Sequence, residues 1–293
     1  MRNSLLNLAF IAGMLMLTPC DCPADSAKSS PSRSDLNDEQ LPHSNSIQLI
    51  RNATMKITYA GTTFLTDPMF SAKGAFRPFA GIASNPTVDL SVSVNDIMPG
   101  VESIIVSHMH PDHFDETASK EISKEIPIFC SPVDESQIVK EGFLNVVPIE
   151  NSQILHGITI TRVGGKHGKG KILEYMGEVS GFVFQAAGKP TVYWVGDSIW
   201  CEEVEAAIKL YKPDVIITHS GGATIPGHEP IVMDAEQTLV TATSAPNAKI
   251  VAIHMEALDH CMVKRTMLRQ LADEAKIPSS RMFIPEDGGI ISF

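Results

Sequence analysis

The run Ser107-His108-Met109-His110-Pro111-Asp112-His113 packs three imidazoles and a carboxylate into the span from 108 to 113, directly after the apolar stretch Ser103-Ile104-Ile105-Val106. Neutral imidazole and carboxylate suit Zn²⁺, Mn²⁺ or iron, and the lack of cysteine among them argues against a closed structural zinc cluster. His108 and His110 are two apart, so at an extended strand end they project to the same side. Pro111 then forces a turn that lets Asp112 and His113 face a second ion.

Charge narrows the partners. The net charge is −11, from 23 basic and 34 acidic residues. Nucleic-acid binding needs a basic stripe to replace counterions, so nucleic acid is not expected as a partner. Cys20 and Cys22 lie near the N-terminus, leaving Cys130, Cys201 and Cys261 widely spaced in the body, which does not indicate a disulfide scaffold.

The first residues read as an export signal, residues 1–26. Arg2 supplies the positive region, Leu5 to Leu17 the short apolar stretch, and Ala24-Asp25-Ser26 a small-x-small cleavage pattern. Leu17-Thr18-Pro19-Cys20 loosely resembles a lipoprotein box with Pro19 in the wrong place, so the expectation is a periplasmic or secreted protein, membrane-anchored only if Cys20 is lipidated. Residues 27–45, rich in Ser, Pro, Asp and Asn, carry too little apolar surface to order themselves and are expected to be a linker.

Residues 46–293 form the expected folded domain. Alternation at Ile47 to Ile50, Met55 to Tyr59 and Thr63 to Leu65 predicts half-buried antiparallel strands. Amphipathic helices are predicted near Glu116–Glu125, Glu202–Tyr211, Asp234–Thr243 and Lys264–Lys276. Short apolar strands are predicted between them at Thr191–Val195, Val215–Thr218 and Ile250–Ile253. Strands first, then strands alternating with helices, imply a mixed α/β (α+β) fold with helices on the outer faces of sheets.

The His-x-His-x-Asp-His run resembles the signature of the metallo-β-lactamase superfamily. That resemblance implies a four-layered αββα sandwich with a two-metal site at the sheet edges, covering about residues 47 to 293. His167, in Gly164-Gly165-Lys166-His167, is similar to the family's next histidine ligand. Asp197, in Val195-Gly196-Asp197, is similar to its bridging carboxylate, and His254, after Val251-Ala252-Ile253, to its last ligand. The resemblance therefore implies two divalent ions, most readily zinc with manganese or iron as alternatives. His108, His110 and His167 would hold one ion, and Asp112, His113 and His254 the other, with Asp197 between them.

Leu65-Thr66-Asp67-Pro68-Met69-Phe70, Met233 to Glu236, and His254 to Cys261 resemble the branch with ascorbate-6-phosphate lactonases and N-acyl-phosphatidylethanolamine-hydrolysing phospholipases. Asp67 is a candidate to orient a metal-bound histidine from behind, with an Asp-Pro turn as the alternative. Two ions sharing a carboxylate acidify a shared water, so solvent is the expected nucleophile and no serine or cysteine is needed. Asp112 is then the candidate general base and acid. His260 is a candidate for proton donation or substrate contact, with capping of the next helix as the alternative; His219 and His228 are the alternatives for that role. Lys73 and Arg77 are candidates to attract an anionic small-molecule substrate. The expected reaction is hydrolysis of a lactone or other ester, the alternatives being a phosphodiester, a β-lactam and, last, metal binding without catalysis.

Overall fold

The computed structural model describes residues 44–293; the expected export segment, Cys20 and nearly all of the expected linker lie outside them. Asn45, the last linker position, belongs to the fold: it is buried, and its carbonyl accepts from the amide of Phe293 while its side chain accepts from the amide of Ala60.

The first half of the chain builds one seven-stranded sheet. Its strands are β1 (Ser46–Arg51), β2 (Thr54–Tyr59), β3 (Thr62–Thr66), β4 (Ser103–Ile105), β5 (Ile128–Cys130) and β6 (Val146–Pro148). The C-terminal strand β14 (Ile290–Ser292) returns to pair with β1, giving the order β14-β1-β2-β3-β4-β5-β6. The second half builds the other, from β7 (Ser152–Leu155), β8 (Ile158–Gly164), β9 (Ser180–Gln185), β10 (Val192–Trp194), β11 (Val215–His219), β12 (Lys249–Ile253) and β13 (Met282–Phe283), in the order β13-β12-β11-β10-β9-β8-β7.

Period-two alternation assigns each strand residue to a layer. In β11, Val215 and Ile217 point between the sheets while Ile216 points to the helices; in β12, Val251 and Ile253 face inward and Ile250 and Ala252 outward. The inter-sheet core joins these to Phe64, Phe182, Phe184 and Trp194. Helices α1 (Val94–Ile97), α2 (Glu116–Glu121) and α3 (Glu135–Lys140) cover the first sheet through Ile97, Ala118 and Ile138. Helices α5 (Glu202–Tyr211), α6 (Ala235–Ser244) and α7 (Arg265–Glu274) cover the second through Val204, Ala242 and Leu268. The result is the expected αββα layering, with a short α4 (Ile172–Met176) beside the strand ends.

The predicted helices near 202, 234 and 264 match within a few residues, whereas the first stops at Glu121 rather than Glu125. Among the described residues no helix is long and apolar enough to cross a membrane.

Candidate metal centre

Six strand ends converge on one rim. Strands β3 and β4 pair in parallel, as do β10, β11 and β12, so their C-terminal ends share a side. From them come Asp67, the 108–113 run, Asp197, His219 and His254, and His167 follows the end of β8. The chain bends sharply there: Asp67 (φ 38°) and His254 (φ 61°) are left-handed, a conformation that costs an ordinary residue on the order of 1–2 kcal/mol. Gly196 (φ 72°) avoids that cost, and a Cβ there would stand 2.5 Å from the Ser180 carbonyl oxygen, displacing the neighbouring Asp197.

Two groups of ligand atoms result. His108, His110 and His167 each offer an atom within 4.8 Å of the others, and so do His113, Asp197, His219 and His254. In the first, His108 Nε2 lies 2.9 Å from His110 Nδ1. His167 donates through Nδ1 to the Ile231 carbonyl at 2.8 Å, which turns its Nε2 toward Asp197 Oδ2 at 3.4 Å. Burial holds all three imidazoles below the usual histidine range, His167 at about 4, so they stand neutral with free lone pairs.

In the second group, His113 donates through Nδ1 to Asp67 Oδ2 at 2.6 Å. Its Nε2 faces carboxylate oxygens, Asp197 Oδ2 at 3.2 Å and Asp112 Oδ2 at 3.5 Å. His254 Nε2 lies 3.5 Å from Asp112 Oδ2, 3.5 Å from Asp197 Oδ1 and 3.4 Å from His113 Nε2. With its ring proton on Nδ1, His113 presents Nε2 as an acceptor toward carboxylate acceptors, an arrangement that a cation between them satisfies. The electrostatics agree: although burial opposes it, Asp197 and Asp112 push His113 up, and Asp197 with Asp112 likewise pushes His254 up. Burial also opposes ionisation of Asp112 and Asp197, but His113 foremost, with His254, holds both well below the carboxylate range. The donor set therefore fits divalent metal ions, and His–carboxylate ligation suits zinc, manganese or iron alike.

Surrounding groups fix these side chains. Asp67 also accepts from the Ser107 amide at 2.7 Å and the Ser107 hydroxyl at 2.6 Å. Asn52 donates to the Asp112 carbonyl at 3.1 Å. Asp115 caps α2 by accepting from the Ala118 amide and ties down the Ser71 amide, so the motif runs straight into its own anchor.

A cavity of about 460 Å³ opens over the centre, floored by His110, Asp112, His167 and Asp197 and walled by Phe79, Met176, Ile225 and Ile231. His260 lines it, edge-on to Phe79 with ring centroids 5.2 Å apart. It does not cap α7, whose N-cap is Lys264. The exposed Arg77 stands at the rim, whereas Lys73 does not line the cavity. Exposed His228 is also absent from the wall, and buried His219 sits behind Asp197 with its Nδ1 2.5 Å from Asp197 Oδ1. Neither is placed to touch substrate. Sequence reasoning missed Ser107, Trp194 and the apolar wall: Ser107 adjoins the motif, but nothing local in the sequence marks Trp194 or Phe79.

The fold and this centre define a metal-dependent hydrolase built on two facing sheets. Comparison with known proteins carries the assignment further. A family model described as "Beta-lactamase superfamily domain" matches residues 62–255, and the chain belongs to that family. The UPF0173 protein YddR of Bacillus subtilis (strain 168) is 34% identical over 253 residues, 84% of this chain and 99% of that one. Among solved structures, a possible metal-dependent hydrolase from Veillonella parvula is 35% identical with a TM-score of 0.82, over 85% of this chain and 100% of that one. An isothiocyanate hydrolase from Delia radicum gut bacteria is 33% identical with a TM-score of 0.81, over 85% and 99%.

Proposed function

We propose that the chain uses two divalent ions to hydrolyse a small, partly apolar substrate at an electrophilic carbon, an isothiocyanate first and a lactone or other ester second. The observation that carries the reading is a floor of ligands beneath an apolar wall, in a cavity of about 460 Å³. That volume suits a small molecule. His108, His110 and His167 would hold one ion, Asp112, His113 and His254 the other, and Asp197 both. Ions held there would supply an acidified water and polarisation of the group under attack.

The chain's own residues do the rest. Phe79, Met176, Ile225 and Ile231 receive the apolar substituent and exclude water from it. Asp112, ionised and on the cavity floor, takes the water proton and returns it to the leaving atom. With an isothiocyanate, the water oxygen bonds to the central carbon, both water protons pass in turn to nitrogen and the carbon–nitrogen bond breaks, leaving a primary amine and carbonyl sulfide. His260 contacts the bound substrate. The solved isothiocyanate hydrolase, 33% identical, supports this substrate class; Arg77 at the rim supports an oxygen-rich lactone as the second reading. The N-terminal pattern supports export.

The test is turnover by zinc- or manganese-loaded protein of allyl and phenethyl isothiocyanates, γ- and δ-lactones, nitrophenyl esters and a bis-nitrophenyl phosphodiester. Amine release from an isothiocyanate is expected. Turnover of the phosphodiester alone would overturn the carbon-electrophile reading.

A further inference from the structure

Asp197 makes one contact that metal ligation does not account for. His219, fully buried at the end of β11, places Nδ1 2.5 Å from Asp197 Oδ1, while its Nε2 lies 2.9 Å from Nε1 of Trp194. An indole N–H can only donate, so His219 Nε2 accepts. The single proton of the neutral ring is then on Nδ1, and it is donated to Asp197. His219 thus has no lone pair left for an ion, although one of its ring nitrogens stands within 4.8 Å of ligand atoms of His113, Asp197 and His254. Asp112, which meets both His113 and His254 at 3.5 Å, takes that place in the ligand set.

The two oxygens of Asp197 are consequently unequal. Oδ1 receives the His219 proton. Oδ2 points between the groups, 3.2 Å from His113 Nε2, 3.4 Å from His167 Nε2 and 4.0 Å from His108 Nε2.

We propose that His219 is a positioning residue: Trp194 fixes its tautomer, and its Nδ1–H locks the Asp197 carboxylate so that Oδ2 is presented to both ions. The proposal rests on reading Asp197 as the shared ligand. The lock is built into the sheet, since β10 and β11 pair in parallel with Trp194 opposite Ile217, which brings the indole alongside the histidine two residues further on. Partners standing behind a ligand typically change metal affinity about 10–100-fold when removed.

The experiment compares wild type with His219→Leu, His219→Asn and Trp194→Phe, reading zinc affinity against a competing chelator and the apo-protein melting temperature. Nitrogen-15 spectra of the histidine rings report the tautomer. His219→Leu is expected to weaken the looser ion about 10–100-fold. His219→Asn should recover most of that loss, because its amide nitrogen occupies the Nδ1 position and still donates. Trp194→Phe should give a mixed tautomer at His219. Zinc binding by folded His219→Leu equal to wild type, or a wild-type His219 protonated on Nε2, overturns the proposal. If the leucine variant does not fold, the wild-type tautomer and the asparagine variant decide. Wild type that binds two ions beside an unaffected leucine variant sinks only this proposal, whereas wild type that binds no zinc sinks the metal reading and this proposal together.

Discussion

Asp67 and His113, 46 positions apart in the chain, are joined by a 2.6 Å contact between Oδ2 and Nδ1 in which the carboxylate can only accept. The proton of His113 is therefore on Nδ1, and its Nε2 is left bare toward Asp112 and Asp197. Ser107 holds Asp67 from two further directions, so the ring has one available orientation.

Replacing Asp67 with asparagine should reverse this. An amide can donate to Nδ1, which favours the wrong tautomer and takes the lone pair from the ligand side. Metal affinity is expected to fall about 10–100-fold in a chelator titration. Unchanged affinity would show that His113 does not bind through Nε2.

Metal loading follows from the two ligand groups. Purified protein should carry close to two ions per chain by elemental analysis, and Asp197→Ala should lose activity and at least one ion. Stripping the metal should lower the melting temperature, since free ion at 100 times its Kd stabilises the native state by about 2.7 kcal/mol. A single ion in fully active protein would contradict the two-ion reading.

Asp112 and His260 are separable by kinetics. Asp112→Asn should depress kcat far more than it raises KM, because the proton transfer acts in the transition state, while His260→Ala should have the milder effect of a lost substrate contact. Metal content must be measured alongside. An Asp112→Asn enzyme that is fully loaded and as fast as wild type would remove Asp112 from the chemistry.

Asp259 predicts an acid limb of stability. Its carboxylate accepts from the amides of Phe79, Ala80, Ile82 and Ala83 and from the Asn85 side chain, tying the Phe79 cavity wall to the segment that carries His260. Burial opposes ionisation, but these donors, Asn85 foremost, bring it down to about 2. A carboxylate whose folded pKa lies below its unfolded value of about 3.9 adds stability above that pH and loses it as pH falls toward 2. Its worth is on the order of 2 kcal/mol at about 1.4 kcal/mol per unit. Asp259→Asn should flatten the loss of stability between about pH 4 and 2 relative to wild type, raise KM and speed amide exchange over residues 79–85. An identical acid profile in the variant would remove Asp259 from the account.

Export is checked by mass spectrometry of protein from the natural host, where the mature chain should begin near Ala27 outside the cytoplasm. An intact Met1 on cytoplasmic protein would refute it, and a lipid on Cys20 would make the protein membrane-anchored.

The sequence alone determined what is local or periodic. The 108–113 run declares its chemistry because its ligands are neighbours in the chain, and the continuous apolar runs of β11 and β12 and the 3.6-residue pattern of α5 mark buried strands and an amphipathic helix without any tertiary knowledge. His167, Asp197 and His254 were legible only through family resemblance, since each is a single polar residue after an apolar run. Tertiary structure alone decided among the remaining histidines. His219, 22 residues beyond Asp197, lies behind that carboxylate because β10 and β11 pair in parallel in one register across a helical crossover. His260 reaches the cavity because Asp259 gathers the 79–85 loop against it. Strand register across a crossover and the closure of a distant loop depend on packing summed over both sheets, and no short window of sequence carries that sum.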